Sequence, residues 1–179
     1  MDTVDSSTST LSSEEVVLVV DSNNQPIGKE KRKVVRQQNL WHRASYIFVY
    51  NKNHEFYVQK RSMLKDYCPG YYDLCNGGVV GGDETDEENA KRELEEEIGV
   101  TGVELKLLKH IKFEDETNRV WGNLYAIQYD GDVKLQAEEV DEILFWNKDE
   151  IQKRIDAGDK ITPDSIMAFK ELMEMGVLN

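Results

Sequence analysis

The amino-acid sequence predicts a single α/β domain in which helices pack on a mixed β-sheet. Segments of strand length, rich in aromatic and β-branched residues, lie on both sides of a glutamate-rich helical segment. A second helical segment, at residues 163–175, begins with Pro163 and carries an apolar face, and a short helix is expected after Lys148. The chain has 179 residues, of which 39% are hydrophobic. This is enough for one sizeable core and short for two.

The predicted strands are short apolar runs that end at turn-forming residues. Residues 51–54 form a hairpin signal between two of them, and the apolar run at 74–80 is interrupted by two glycines. The first residues are polar and rich in Ser and Thr, so we expect a disordered tail at 1–14 and one domain at 15–179. Strands are predicted at residues 16–20, 44–50, 55–60, 103–113, 120–129 and 142–146.

The glutamate-rich segment is predicted to form a helix from about residue 86 to residue 98. Thr85 followed by Glu88 fits a capping box, in which each residue accepts a hydrogen bond from the backbone of the other. Gly99 fits the left-handed position just after a helix end. Apolar residues recur every four positions and mark the buried face of the helix: Ala90, Leu94 and Ile98.

Composition and charge exclude several classes of partner. The net charge of −13 argues against nonspecific binding to nucleic acid or to an anionic membrane surface. No apolar run is long enough to span a bilayer, and we expect a soluble, cytoplasmic protein. Cys68 and Cys75 have no His or Cys neighbours at zinc-ligand spacing, so we expect reduced thiols. The sequence is compatible with a monomer or a homodimer.

Acidic residues are concentrated in the glutamate helix and just before it. Residues 83–97 contain nine carboxylates and two cationic side chains. At about 100° per residue, Glu93, Glu96 and Glu97 fall in one sector beside the apolar stripe, where like charges destabilise each other. Arg92 can neutralise one carboxylate, either Glu84 or Glu96.

A cluster of hard oxygen ligands is typical of an Mg²⁺ or Mn²⁺ site. A solvated acidic face is the alternative. It is disfavoured by the scarcity of interspersed lysines, by the position beside the apolar stripe and by the glycine-rich approach at residues 76–82.

The same residues match a complete Nudix box, which is a glycine, a glutamate and then Arg-Glu-aliphatic-x-Glu-Glu-x-Gly-aliphatic. The chain therefore resembles the Nudix hydrolases, which hydrolyse a nucleoside diphosphate, or another diphosphate, linked to a further group. The resemblance implies an α/β/α sandwich with a mixed sheet, an Mg²⁺ or Mn²⁺ cofactor and a small-molecule diphosphate substrate. The matching residues are Gly78, Glu84, Arg92, Glu93, Leu94, Glu96, Glu97, Gly99 and Val100.

The resemblance also implies roles for individual residues. Arg92 and Glu84 are expected to orient the metal ligands, and Glu93 is our first choice for the base that accepts a proton from the attacking water. A glutamate from a downstream loop is the alternative base or an additional ligand, and we consider Glu139 together with its neighbours Glu138 and Glu142. The metal ligands implied by the family are Glu93, Glu96, Glu97 and the carbonyl oxygen of Gly77.

Residues 41–73 are similar to type I isopentenyl-diphosphate isomerases, which share the Nudix fold and provide an alternative function. His42 matches a metal-binding histidine of those enzymes. However, Gly77-Gly78-Val79 stands where they have a catalytic Cys-Gly-His, and Cys75 lies two positions before the place of that cysteine. Residues 119–123, which correspond to the glutamates that the isomerases use in a later strand, contain no carboxylate. The chain therefore lacks the thiol and the metal ligands with which an isomerase protonates and deprotonates an isolated alkene, so hydrolysis is favoured.

Two basic residues are predicted to bind the substrate. By their spacing, Arg61 and Lys65 match the residues that contact the diphosphate in the isomerases. They lie four positions apart just after a predicted strand, where they could supply the cationic side of a phosphate pocket. A solvated strand end is the alternative interpretation.

Overall fold

The computed structural model describes residues 13–136 and 140–178. The predicted tail at residues 1–14 therefore lies almost entirely outside the described residues. Within the described part, no helix is long and apolar enough to cross a membrane. The helices are α1 (Arg32–Gln38), α2 (Asp86–Ile98), α3 (Lys148–Asp156) and α4 (Pro163–Glu174). The strands are β1 (Val16–Val20), β2 (Pro26–Lys31), β3 (Trp41–Tyr50), β4 (Glu55–Arg61), β5 (Tyr72–Asp73), β6 (Lys109–Glu114), β7 (Arg119–Gln128) and β8 (Val140–Asn147).

The described strands form one mixed sheet centred on β3. β3 pairs in parallel with β7 over its full length, from Trp41 opposite Arg119 to Tyr50 opposite Gln128. The other pairs are antiparallel: β1 and β4 pair with the two ends of β3, β6 pairs with β7, β8 and β5 pair with β4, and β2 pairs with β1. The predicted mixed sheet is confirmed.

Helices cover both faces of this sheet because side chains on β3 alternate between two cores. Phe48 belongs to the core that contains Phe169 of α4 and Ile151 of α3. Its neighbour Ile47 belongs to the opposite core, together with Leu94 of α2. The result is a three-layer α/β/α sandwich, as the sequence predicts.

The apolar segment at 74–80 runs beside β3 without forming a regular strand. Ile47 N–H donates to the carbonyl oxygen of Asn76, and Ser45 N–H donates to that of Gly78, at 2.7 and 3.0 Å. Gly77 has a φ of 136°, and a Cβ atom on it would overlap the carbonyl group of Ser45. A glycine is therefore required where this segment approaches the central strand.

The structure adds three elements that the sequence patterns did not predict, which are β2, α1 and the two-residue strand β5, and it shortens one that they did. β2 is an edge strand whose residues are mostly exposed, so it lacks the alternating apolar pattern of a strand. The N-cap of α1 is Lys31, whose side chain makes no capping hydrogen bond, so the helix lacks a start signal in the sequence. The strand predicted at 103–113 was wrong for residues 103–108, because β6 begins only at Lys109. The other predicted strands and helices are confirmed, with small shifts of their ends.

We propose that residues 15–179 fold as one unit to which α4 contributes essential core contacts. Phe169 is 1% exposed and packs against Phe48 and Phe56, with ring centroids 6.5 and 6.1 Å away. We expect Phe169→Ala to lower the free energy of unfolding by about 3–5 kcal/mol, because it leaves a cavity among these rings. Urea denaturation measures this change. Met175→Ala, at an exposed residue just after α4, is the control and should change the free energy of unfolding by less than about 0.5 kcal/mol. Two separate unfolding transitions would contradict the single unit.

Candidate active site

The caps predicted for α2 fix where the helix starts and ends. Thr85 Oγ1 accepts from the backbone N–H of Glu88 at 3.1 Å, and the Glu88 carboxylate accepts from that of Thr85 at 3.2 Å. Gly99 has a φ of 70°, and its N–H donates to the carbonyl of Glu95 at 2.8 Å. The caps fix the two ends of α2, and the packing of its apolar stripe in the core that contains Ile47 of β3 sets the direction in which the glutamates face.

The three predicted metal-binding glutamates differ in burial. Glu93 and Glu97 are 7% and 6% exposed, whereas the side chain of Glu96 is 42% exposed. Gly78 lies directly against Glu93, since a Cβ atom at Gly78 would be 2.6 Å from the carboxylate carbon. Glycine at this position therefore leaves the space that the Glu93 carboxylate occupies.

Arg92 connects the carboxylates of the cluster. Its guanidinium donates to both oxygens of Glu84, from Nε at 2.9 Å and from Nη2 at 2.8 Å. Nη1 donates to Glu96 Oε2 at 2.9 Å, and Nη2 lies 3.1 Å from Glu93 Oε1. The sequence left Glu84 and Glu96 as alternative partners of Arg92, and the structure shows contacts with both.

The electrostatics of Glu84 and Arg92 reflect this pairing. Partial burial raises the pKa of Glu84, but the hydrogen bonds from Arg92, from Gly81 N–H and from Asn89 outweigh it and lower the pKa to about 2. The hydrogen bond with Glu84 in turn raises the pKa of Arg92. Both groups therefore stay charged across the neutral range.

Asn89 is a buried residue of the site that the sequence patterns missed. Its Nδ2 donates to Glu84 Oε1 at 2.8 Å and to the carbonyl of Val79 at 2.9 Å, while Oδ1 accepts from Ser45 Oγ at 2.5 Å. The side chain thus ties α2 to β3 and to the glycine-rich segment. The signal in the sequence that could have identified Asn89 is the position of a polar residue next to the apolar stripe of α2.

Gln59, on β4, is a second buried residue that the sequence patterns missed. Its Nε2 donates to Glu97 Oε2 at 2.6 Å and also contacts Oδ1 of Asn76. The backbone N–H of Gly77 donates to the same oxygen of Glu97 at 3.2 Å. The Glu97 carboxylate is therefore held by donors from the sheet and from the glycine-rich segment.

The donor chemistry of the cluster fits a hard divalent cation. Glu93, Glu96 and Glu97 offer only carboxylate oxygens, which Mg²⁺ and Mn²⁺ prefer. Across residues 13–136 and 140–178, however, no three His, Cys, Asp or Glu side chains converge on a single point. Glu96 is turned toward Arg92 instead. A cation held by all three glutamates would require at least one of these side chains to change its conformation.

A cavity of about 240 Å³ brings the predicted basic residues to the glutamate cluster. Arg61 and Lys65 line it together with Glu93 and Glu96. Arg61 is largely buried and donates from Nη1 to Asp73 Oδ2 and from Nε to the carbonyl of Tyr67, both at 3.0 Å. Burial lowers the pKa of Arg61, but Asp73 and other nearby carboxylates outweigh it and raise the pKa. Arg61 is thus a fixed cation on the wall of the cavity.

His42 and Cys75 also line this cavity, and both are buried. His42 Nδ1 lies 3.1 Å from the carbonyl of Leu40, and burial lowers the pKa of the imidazole to about 3, so the ring is neutral. Burial, reinforced by Asp73, raises the pKa of the Cys75 thiol well above its usual value. A thiol with a raised pKa is a poor nucleophile.

Of the three downstream glutamates, the structure describes only Glu142. Glu138 and Glu139 lie outside the described residues. Glu142 lies on β8 opposite Lys60 and is exposed, and it does not line the cavity.

Comparison with known proteins gives consistent matches. The NUDIX domain family model matches residues 40–164. The chain is 39% identical over 169 residues to the uncharacterized Nudix hydrolase YfcD of Escherichia coli strain K12, covering 94% of this chain and 92% of that protein. It is 33% identical over 156 residues to the uncharacterized Nudix hydrolase PA4841 of Pseudomonas aeruginosa, covering 87% and 92%.

Solved structures show the same fold. The crystal structure of DR0079 from Deinococcus radiodurans gives a TM-score of 0.77 at 21% identity, covering 88% of this chain and 98% of that one. The crystal structure of the MutT protein from Methanosarcina mazei Go1 gives a TM-score of 0.65 at 25% identity, covering 78% and 96%.

The low pKa of Glu84 predicts how its contribution to stability depends on pH. The folded pKa, about 2, lies below the ordinary value of 4.5, so the contribution is complete above about pH 4.5 and is lost as the pH falls toward 2. Glu84→Gln should therefore lower the melting temperature near neutral pH, and the difference from wild type should shrink below pH 4.5. Thermal melts between pH 7 and pH 3 measure this, with the exposed Glu95→Gln as control. A difference in melting temperature that does not change with pH would contradict the lowered pKa of Glu84.

Proposed function

Because the chain belongs to the Nudix hydrolase family, whose members act on phosphoric anhydrides, we propose that it is a divalent-metal-dependent diphosphate hydrolase. Its substrate is a nucleoside diphosphate derivative or a related organic diphosphate. The observation that carries this proposal is one cavity bordered by Glu93 and Glu96 on one side and by Arg61 and Lys65 on another. Such a cavity can hold a diphosphate between cationic side chains and a cluster of metal-binding carboxylates.

In this proposal the cofactor is Mg²⁺ or Mn²⁺. Glu93, Glu96, Glu97 and the carbonyl oxygen of Gly77 would hold the ion, which when bound neutralises charge on the diphosphate and lowers the pKa of water. Arg92 has a positioning role, since it is fixed by Glu84 and contacts Glu93 and Glu96.

Glu93 is the proposed general base. It lines the cavity and is 7% exposed, so it borders both the substrate space and the core. Glu93 would accept the proton of the attacking water. Glu84 would hold the Arg92 guanidinium in its contact with Glu93. Glu139 remains the proposed additional base or ligand.

The isomerase alternative requires a reactive thiol, and Cys75 does not meet this requirement. Its side chain is 4% exposed, and burial raises the pKa of the thiol. A catalytically silent binding module is the other alternative. A screen of the purified protein against a diphosphate panel with Mg²⁺ and Mn²⁺, in which both products are identified, separates the three functions. Absence of turnover on every member would contradict the proposed hydrolase.

We predict that Glu96→Gln and Glu97→Gln each lower kcat at least about 100-fold, because each removes a full ligand charge. Glu96→Gln is the cleaner test because Glu97 also holds Gln59 and the Gly77 amide. Steady-state kinetics over a range of Mg²⁺ concentrations, with parallel thermal melts, measures the effect. The exposed Glu95→Gln on the same helix serves as control. Near-native turnover with unchanged magnesium dependence in both variants would refute this metal site.

We predict that Arg61→Ala lowers kcat/KM by roughly 10- to 150-fold, because a charge-assisted contact to phosphate contributes about 1.5–3 kcal/mol. Lys65→Ala should cost less, because an ammonium lacks the bidentate geometry of a guanidinium. Steady-state kinetics on the substrate selected by the panel measures both effects.

Arg61→Ala also leaves Asp73 without its guanidinium partner, so a second variant is needed. The double variant Arg61→Ala/Asp73→Ala removes both charges and should show the same loss of kcat/KM. Lys60→Ala changes a neighbouring cation that does not line the cavity and should behave like wild type. Wild-type kcat/KM in the double variant and in Lys65→Ala would place the phosphate elsewhere.

A further inference from the structure

The side-chain nitrogen of Asn76, Nδ2, is buried and has no hydrogen-bond partner among the described residues. The residue is 1% exposed and lines the cavity beside the glutamate cluster. Its backbone N–H donates to the carbonyl of Ile47 at 2.8 Å, and its own carbonyl accepts from Ile47 N–H at 2.7 Å. Oδ1 accepts from Gln59 Nε2. Within residues 13–136 and 140–178, Nδ2 has no hydrogen-bond partner.

The carboxylate of Glu97 determines which way this amide points. A carboxylate can only accept, so Gln59 presents its Nε2 to Glu97 at 2.6 Å. The second hydrogen of Nε2 then requires an acceptor, which is Oδ1 of Asn76. Reversing the Asn76 amide would place two donors against each other. The Nδ2 of Asn76 is therefore directed away from Gln59.

Location distinguishes this atom from the other unsatisfied buried groups. In the described part of the chain, side-chain atoms without a partner also occur on Arg36, Arg119, Asn123 and Gln136, and none of these four residues lines the cavity. Leaving a buried donor unpaired costs free energy, so an unpaired donor on a residue that lines a binding cavity points to a ligand that accepts its hydrogen.

We propose that Asn76 Nδ2 donates a hydrogen bond to a phosphoryl oxygen of the bound diphosphate, which makes Asn76 a substrate-binding residue. This inference rests on the proposed hydrolysis of a diphosphate. Phosphoryl oxygens are strong acceptors, and the cavity already presents Arg61 and Lys65 for the same kind of group. A neutral amide next to Gly77 can hold such an oxygen without adding a charge beside Glu97.

Binding of methylenediphosphonate, a diphosphate analogue that cannot be hydrolysed, tests the inference without requiring turnover. Calorimetry is performed at saturating Mg²⁺ on wild type, Asn76→Ala and Asn76→Asp, of which the last keeps an acceptor for Gln59 but replaces the donor. Both variants should bind at least about 10-fold more weakly, and kcat/KM should fall by about 10- to 100-fold. The magnesium concentration for half-maximal activity should be unchanged in Asn76→Ala.

Asn123→Ala is the matched control, because Asn123 is also a buried asparagine with an unpaired Nδ2 but does not line the cavity. It should bind the analogue like wild type. In wild type, the NMR signal of the Asn76 side-chain amide should shift when methylenediphosphonate is added. This measurement does not depend on the folding of any variant.

Wild-type affinity in both Asn76 variants, an amide signal that does not shift, or a wild-type protein that does not bind the analogue would each overturn the inference. If wild type binds the analogue through Asn76 but hydrolyses no diphosphate of the panel, the inference holds while the proposed function fails.

Discussion

The arrangement of the candidate site depends on the Arg92 guanidinium, which is shared by three carboxylates. Arg92 donates to both oxygens of Glu84 and to one of Glu96, and it lies 3.1 Å from Glu93. Without it, several carboxylates would lie close together at the edge of a hydrophobic core, which costs free energy through repulsion and desolvation. A lysine could not replace it, because only a guanidinium can bind one carboxylate through two parallel hydrogen bonds and still reach others.

Arg92 can hold these carboxylates in place only because α2 is fixed against the central strand. Asn89 joins the helix to Ser45 of β3 and to Val79, and Glu84 is bonded to the same Asn89 side chain. The glycine-rich segment approaches from the other side, where Gly78 makes room for the buried carboxylate of Glu93. The three glutamates proposed as metal ligands therefore lie on a helix that is held in place, and the close backbone approach explains why glycine precedes it.

The cavity brings cationic side chains together with carboxylates in a strongly acidic protein. The net charge is −13, yet Arg61 and Lys65 line the wall near the glutamates. Arg61 is held by Asp73 and by the carbonyl of Tyr67, so its guanidinium is fixed in place although it is largely buried. Fixed charges of both signs around one cavity favour a phosphorylated small molecule, because they can bind phosphate oxygens and a cation at the same time. The buried thiol of Cys75 does not favour isomerase chemistry.

The sequence by itself determined the helix that carries the glutamates, since caps, helical period and the Nudix box are all read from residues within one short segment. It also identified the sheet strands with alternating or apolar patterns, and it placed Arg61 and Lys65 near the site through their resemblance to the isomerases. Only the tertiary structure decided which side chains hold these residues in position. Gln59 and Glu97 are 38 positions apart, and Ser45 and Asn89 are 44 apart. Such pairs depend on how β3, β4, α2 and the glycine-rich segment pack together, so local patterns do not encode them. The Nδ2 atom of Asn76, which has no partner among the described residues, could not be identified from the sequence for the same reason, because its orientation follows from hydrogen bonds that form only when these elements meet.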